Sequence, residues 1–364
     1  MYEHGKASFL VGGQWGSEGK GAAAAWLAAH LTKFTSEGFD IVTTNAGAQA
    51  GHTSTFAGEK RVVYHLPTYP LIARAAGAEF MPLSYLNAGS IIDPVVLLKE
   101  IEEQELEPSQ LAIHPNAAVI TEECREAEGR EDSAQTKIAS TRKGVGEALA
   151  RKVLRSGKIV GDLPGHLKPY VRKLDLNDLM LKDHSVLVEV PQGISLSVNS
   201  RFYPYCTSRN CTVQQAMADA EIHPSFVGKT MLVLRTYPIR VGHIRDGSGG
   251  ALGQSGPGYH DQRETSWDAL GQTPEITTVT GRVRRVFTFS KAQVREAMAL
   301  TRPDVVYLTF CDYCSKAEVE AIEKAIQECA RKLKMTPPLM RFQYGPTTGD
   351  VYNVVQNDIV QGEK

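Results

Sequence analysis

The sequence predicts an α/β fold, a single large domain around a mainly parallel central sheet. Three observations predict it: short apolar runs end in glycine loops, an alanine-rich helical stretch follows the first such loop, and amphipathic helices separate later runs. Ala7 to Val11 stops at Gly12-Gly13 and leads through a glycine-rich turn into Gly21 to Leu31, which reads as strand, loop and helix. Asp40 to Thr44 predicts a second strand entering the small-residue loop Asn45 to Thr53, and Arg61 to Leu66 is a third apolar segment closed by Pro67. Asp93 to Gln104, with Pro94 at the first helical position, and Ser315 to Lys334 have the period of packed surface helices. Val186 to Val190 and Thr230 to Leu234 predict buried strands, the first running into Pro191-Gln192-Gly193. Gly242 to Gly258 is glycine-rich and poor in apolar residues, which predicts a mobile loop. Neither a repeat nor a linker interrupts the chain, so residues 1–364 are expected to form one domain.

A chain of 364 residues buries roughly three quarters of its unfolded surface and needs no staples. Lys and Arg number 40 against 41 Asp and Glu, so no global basic field exists to hold a nucleic acid, and an anionic ligand must be caught locally. Apolar runs such as Met231 to Leu234 fall far short of the ~20 residues of a membrane span. The N-terminus lacks a basic-then-apolar leader, which predicts a cytoplasmic protein. Six scattered cysteines predict free thiols, and Cys311 and Cys314 form a lone C-x2-C without a second ligand pair for zinc.

The chemistry concentrates in Gly12-Gly13-Gln14-Trp15-Gly16-Ser17-Glu18-Gly19-Lys20-Gly21. Glycines let backbone N–H groups approach an anion, the following helix N-terminus adds its dipole, and Lys20 supplies a point charge. The spacing is not that of a Walker A loop: five residues separate Gly13 from Gly19, and Gly21 stands where Ser or Thr would be. A plain glycine turn with a solvent-facing lysine has the same composition. His52, between Gly51 and Thr53, is a candidate proton donor, although lone histidines are often structural.

The loop resembles the adenylosuccinate synthetase signature Gln-Trp-Gly-Asp-Glu-Gly-Lys-Gly at every position except Ser17. Further matches follow in family order from Gly12 to about Val351: Ala50-Gly51-His52-Thr53, Ser140 to Gly146, Gln192-Gly193, Tyr203-Pro204-Tyr205 with Thr207-Ser208, Arg240-Val241-Gly242, and Thr280-Gly281-Arg282 with Arg284 and Arg285. The resemblance implies a P-loop-like synthetase fold with subdomain insertions and a two-step ligation. In that reaction the purine 6-oxygen takes the γ-phosphoryl group of a nucleoside triphosphate, and the amine of L-aspartate then displaces phosphate at C6.

Roles are implied by matched position. Ser17, Lys20, His52 and Gln192 stand at catalytic positions. The purine nucleotide would meet Ser17, Gln49, Ala50, Ser140, Thr141, Gln192, Thr207 and Val241. Arg155 would reach across a homodimer to the partner's nucleotide phosphate. The triphosphate would meet Gly16, Glu18, Gly19, Lys20, Gly21, Gly51, His52 and Thr53, with its base near Asp312, Gly345 and Pro346. Val279, Thr280, Gly281, Arg282 and Arg284 resemble the aspartate loop, where paired guanidinium groups suit two carboxylates. Mg2+ is implied, with Ser17 and Gly51 at the matched metal positions.

Departures from the pattern carry the finer reading. A serine hydroxyl at position 17 cannot act as the family's carboxylate base, and it leaves room at the purine edge for a 2-amino group. Serine here resembles the phage and phage-like synthetases that act on dGMP toward 2-aminoadenine DNA. Phe310 replaces the lysine of a Thr-Lys-x-Asp guanine reader, which favours ATP or dATP over GTP as donor. Packing of Phe310 in the core would also account for it. Gln49 replaces an asparagine and Ser197 an acidic residue. Two other readings stand beside the dGMP synthetase: an ordinary family member using IMP and GTP, and an inactive nucleotide-binding protein. Retention of Lys20, His52, Gln192 and Arg282 argues against decay.

Overall fold

The computed structural model describes residues 2–34, 38–248, 250–277, 280–355 and 358–360. Its centre is a ten-stranded sheet built from β1 (Ala7–Gly12), β2 (Ile41–Thr44), β3 (Leu83–Leu86), β4 (Leu111–Ile113), β5 (Val186–Gly193), β6 (Val227–Arg235), β7 (Val305–Thr309), β8 (Leu339–Gln343), β9 (Val351–Val355) and β10 (Asp358–Val360). The spatial order is β10-β9-β8-β7-β6-β1-β5-β2-β3-β4. Pairing is parallel from β4 across to β8 and antiparallel only at β8–β9 and β9–β10.

β1 is buried along its whole length because both faces of the sheet are covered. Ala7, Phe9 and Val11 pack into one core, and Leu10 points the other way against helix α1 (Lys20–Phe34). The alanines of α1 let its axis lie close to the sheet. Val186–Gly193 and Val227–Arg235 run longer than the apolar cores from which they were read. Two later helices start where expected: Asp93 caps Pro94–Glu103 by accepting from the amides of Val95 and Val96, and Ser315 with Glu318 forms a capping box on Lys316–Lys332.

The third apolar segment, Arg61 to Leu66, lies outside the main sheet. Glu59–Val63 pairs antiparallel with His52–Phe56 in a separate hairpin. Its turn residues Ala57 and Gly58 both have positive φ, 51° and 81°, the geometry that reverses a chain in two residues. The glycine-rich segment after Gly242 contains a short antiparallel pairing of Ile244–Arg245 with Ala251–Gly253. The parallel topology delivers the loops after β1, β2, β5, β6 and β7 to one edge of the sheet, where ligands of open α/β sheets bind.

Candidate active site

The loop between β1 and α1 is shaped from below by Glu18, whose side chain is fully buried. Its Oε1 accepts from the amides of Gln14 (3.0 Å) and Gly16 (2.8 Å), and its Oε2 pairs with Lys20 Nζ at 2.8 Å. Lys20 Nζ also donates to the carbonyl of Gln192, the left-handed residue near the end of β5 (φ 63°). Gly21 is glycine because a Cβ there would meet the Thr53 carbonyl oxygen at 2.3 Å. This contact seats the His52–Phe56 hairpin on the start of α1 and brings His52 beside Lys20.

These loops enclose a cleft of about 740 Å³, within the range of roughly 300–1,000 Å³ usual for small-molecule sites. Gly16, Ser17, Gly19, Lys20 and Gly21 form one wall, and Gln49, Ala50, Gly51, His52 and Thr53 face them. Ser140, Thr141, Gln192, Thr207 and Val241 line it too, as do Phe310, Asp312, Gly345 and Pro346. Thr280 and Arg284 also reach it. Phe310 is only half-buried, so it is a cleft residue rather than a core one. Four polar side-chain atoms of the described cleft-lining residues are covered yet have no partner within the protein: both amide atoms of Gln49, Nε2 of His52 and Nε1 of Trp15. Buried polar atoms are rarely left so, and a bound ligand would complete them.

Some expected site residues lie elsewhere. Glu18 does not line the cleft, because the loop amides and Lys20 draw its carboxylate underneath. Arg282 faces a neighbouring arginine-rich groove. It donates there to the carbonyls of Gly242 (2.9 Å), Ala139 (3.0 Å) and Ser140 (3.1 Å), acceptors that the Ser140 loop places within its reach. Burial, and then the charge of Arg142, pushes its pKa down to about 10. Gly281 is in neither lining, and Val279 lies outside the described residues. Arg155 is exposed just beyond the helix Val145–Val153 and does not reach the cleft of its own chain.

Other cleft residues were missed. Arg240 sits between the rings of Trp15 (4.9 Å) and Phe202 (5.2 Å) and donates to the carbonyls of Pro257 and Tyr205. Burial and Arg285 push its pKa down to about 9. Glu275 and Tyr313 also line the cleft, and behind them lies Arg235. The available signal was Arg235 itself, a charge ending the apolar run Met231 to Leu234.

No group of three or more His, Cys, Asp or Glu side chains among the described residues could hold a metal ion. The Ser17 hydroxyl and the Gly51 backbone offer neutral oxygens, which suits a Mg2+ that keeps phosphate oxygens and water as its main ligands. His52 stands half-open to the cleft, but its Nε2 is covered; burial first, and the Lys20 charge second, push its pKa down to about 3. The imidazole is therefore neutral at neutral pH in the ligand-free protein. Ring-nitrogen NMR should find no protonation of His52 above about pH 5, and Lys20→Met should move its pKa upward by removing one of the two causes. Titration near 6.5, the ordinary histidine value, in both proteins would contradict this electrostatic picture.

Residues 9–177 and 164–327 match the family model of adenylosuccinate synthetase. The N6-succino-2-amino-2′-deoxyadenylate synthase of Salmonella phage PMBT28 is 32% identical over 373 residues, spanning 96% of this chain and 98% of that protein. The enzyme of the same name from Vibrio phage phiVC8 is 34% identical over 349 residues, 93% of this chain and 95% of that one. Among solved structures, the succinoaminodeoxyadenylate synthetase of cyanophage S-2L, bound to dGMP and to dATP as an energy donor, superposes with a TM-score of 0.81. It is 32% identical, with 96% of this chain and 95% of that chain covered. A cleft built on this loop and a match over most of the length lead to one conclusion: the chain belongs to the adenylosuccinate synthetase family.

Proposed function

We propose that this protein is a C–N bond-forming ligase that joins L-aspartate to C6 of dGMP, with ATP or dATP as phosphate donor. In the first step guanine O6 attacks the γ-phosphorus, N1 loses its proton and the nucleoside diphosphate leaves. In the second, the aspartate nitrogen adds at C6 and loses a proton, and O6 departs with the phosphate. The product is N6-succino-2-amino-2′-deoxyadenylate.

The observation that carries this reading is Ser17 at the reacting corner of the cleft. Its side chain is exposed to the cleft, its φ is 57°, and its carbonyl accepts a hydrogen bond from buried Arg235 at 3.1 Å. The corner is thus fixed, and the short hydroxyl leaves space beside the purine N1 and C2 where a carboxylate would stand. The partnerless amide of Gln49 offers an acceptor and a donor to a base edge. Family relatives named for the 2-amino product and the superposed structure with dGMP and dATP support the same substrates.

The remaining roles follow from position. Lys20 and the loop amides hold phosphates, and the neutral His52 ring is placed to hydrogen-bond to O6 or to the transferring phosphoryl group. Ser17 and Gly51 would hold Mg2+ together with phosphate oxygens, where its charge offsets that of the phosphates. Arg284 and Thr280 would receive aspartate, with Arg282 beside them. Phe310, Asp312, Gly345 and Pro346 would enclose the donor base, and the absence of a lysine at position 310 favours adenine. Arg155 is proposed to cross a homodimer interface; Val153 and Leu154 next to it are 66% and 74% exposed, an apolar surface that a partner would cover.

Aspartate tolerates the left-handed backbone of position 17, so Ser17→Asp tests the side chain rather than the fold. Crowding of the 2-amino group should lower kcat/KM for dGMP by about 5- to 150-fold with ATP as donor. If the unmodified protein prefers IMP, or Ser17→Asp improves dGMP use, the substrate assignment falls. For the shared site, mixing Arg155→Ala with Lys20→Ala subunits should restore activity through hybrid dimers. No restoration once subunit exchange is verified would count against it.

A further inference from the structure

Arg235 ends β6 after four apolar residues that are fully buried, and its own side chain is 0% exposed. An unpaired cation there would be strongly disfavoured, so its contacts explain why it is kept. They go to three different walls of the cleft. Nη1 donates to the Ser17 carbonyl at 3.1 Å. Nη2 and Nη1 reach the Glu275 carboxylate at 2.6 and 3.3 Å, and Tyr313 donates to the same carboxylate at 3.3 Å. The ring of Phe310 lies over the guanidinium, 3.8 Å from centroid to carbon. The backbone at this position is clamped as well: its N–H donates to Gln14 Oε1 at 3.0 Å and its carbonyl accepts from Gln14 Nε2 at 3.1 Å.

A guanidinium is flat and presents a rigid fork, so the group that lies over the Phe310 ring and the donor to Ser17 are one rigid unit. A displacement of the Phe310 ring therefore bears on the same rigid unit that holds the Ser17 carbonyl. Glu275 extends the link toward the aspartate loop, because its carbonyl accepts from the Arg284 amide at 2.8 Å. We infer that Arg235 is a positioning residue that couples occupancy of the donor-base wall at Phe310 to the pose of Ser17 against the purine. Binding of the donor nucleotide then tightens the purine end of the cleft before phosphoryl transfer. This rests on the proposed placement of the donor base at Phe310 and of the purine at Ser17.

The test is binding, measured by calorimetry in the whole protein with a non-hydrolysable ATP analogue and dGMP. In the unmodified protein the analogue should tighten dGMP binding by about tenfold, within the usual range of site-to-site coupling. Arg235→Lys keeps the charge but loses the flat fork, and should bring that tightening close to one while each ligand alone still binds within about threefold. Phe310→Leu, which removes the ring and leaves Arg235, should also lose the tightening; it decides the matter if Arg235→Lys does not fold. A merely structural role for Arg235 would lower thermal stability and leave the ratio untouched. Retained tightening in either folded variant overturns the inference. If dGMP binds the unmodified protein but the analogue does not alter its affinity, the coupling fails and the substrate reading stands; no dGMP binding at all overturns both.

Discussion

The cleft depends on a carboxylate that water does not reach. Glu18 gathers the amides of Gln14 and Gly16 on one oxygen and the Lys20 ammonium on the other, so a single buried group sets both the curve of the loop and the place of its charge. The surrounding glycines follow from it. A Cβ at Gly12 would lie 2.4 Å from Glu18 Oε2, and one at Gly193 would lie 2.3 Å from Oε1. Two strands, β1 and β5, therefore end in glycine to make room for one acid. Removing one partner of such a buried pair commonly costs about 3–5 kcal/mol, enough to unmake the loop.

Around that fixed loop the selective features are neutral. Ser17 presents a hydroxyl where the family signature carries a carboxylate, and Gln49 presents an amide whose two polar atoms find no partner in the protein. Two of the cations beside them are compensated: Arg235 is paired with Glu275, and Arg240 lies over the rings of Trp15 and Phe202. Groups already neutral or neutralised need no reorganisation as phosphate charge shifts during transfer.

Much of this was legible in the sequence because it is local. Buried parallel strands read as apolar runs stopped by glycine, and the helices at Pro94 and Lys316 announce themselves by their capping residues. The two loop motifs named Ser17, Lys20 and His52 as site residues, and all three line one cleft. What sequence missed is what long-range contacts decide. That the segment Arg61 to Leu66 begins in a side hairpin rather than in the main sheet depends on its pairing with His52–Phe56 across the left-handed turn at Ala57 and Gly58. Glu18 looks like a ligand-facing acid until the loop amides above it are placed. The partners of Arg235 lie 218 and 40 residues away along the chain, at Ser17 and Glu275, beyond the reach of any local pattern.

The central claim is that the purine oxygen of dGMP is activated by phosphoryl transfer in this cleft. It is tested most directly with dGMP carrying 18O at position 6, incubated with ATP, L-aspartate and Mg2+, and with the released phosphate read by 31P NMR. The account predicts that each phosphate released carries the purine's 18O atom, because O6 leaves C6 bound to phosphorus. Unlabelled phosphate, or phosphate release that does not depend on dGMP, would contradict it.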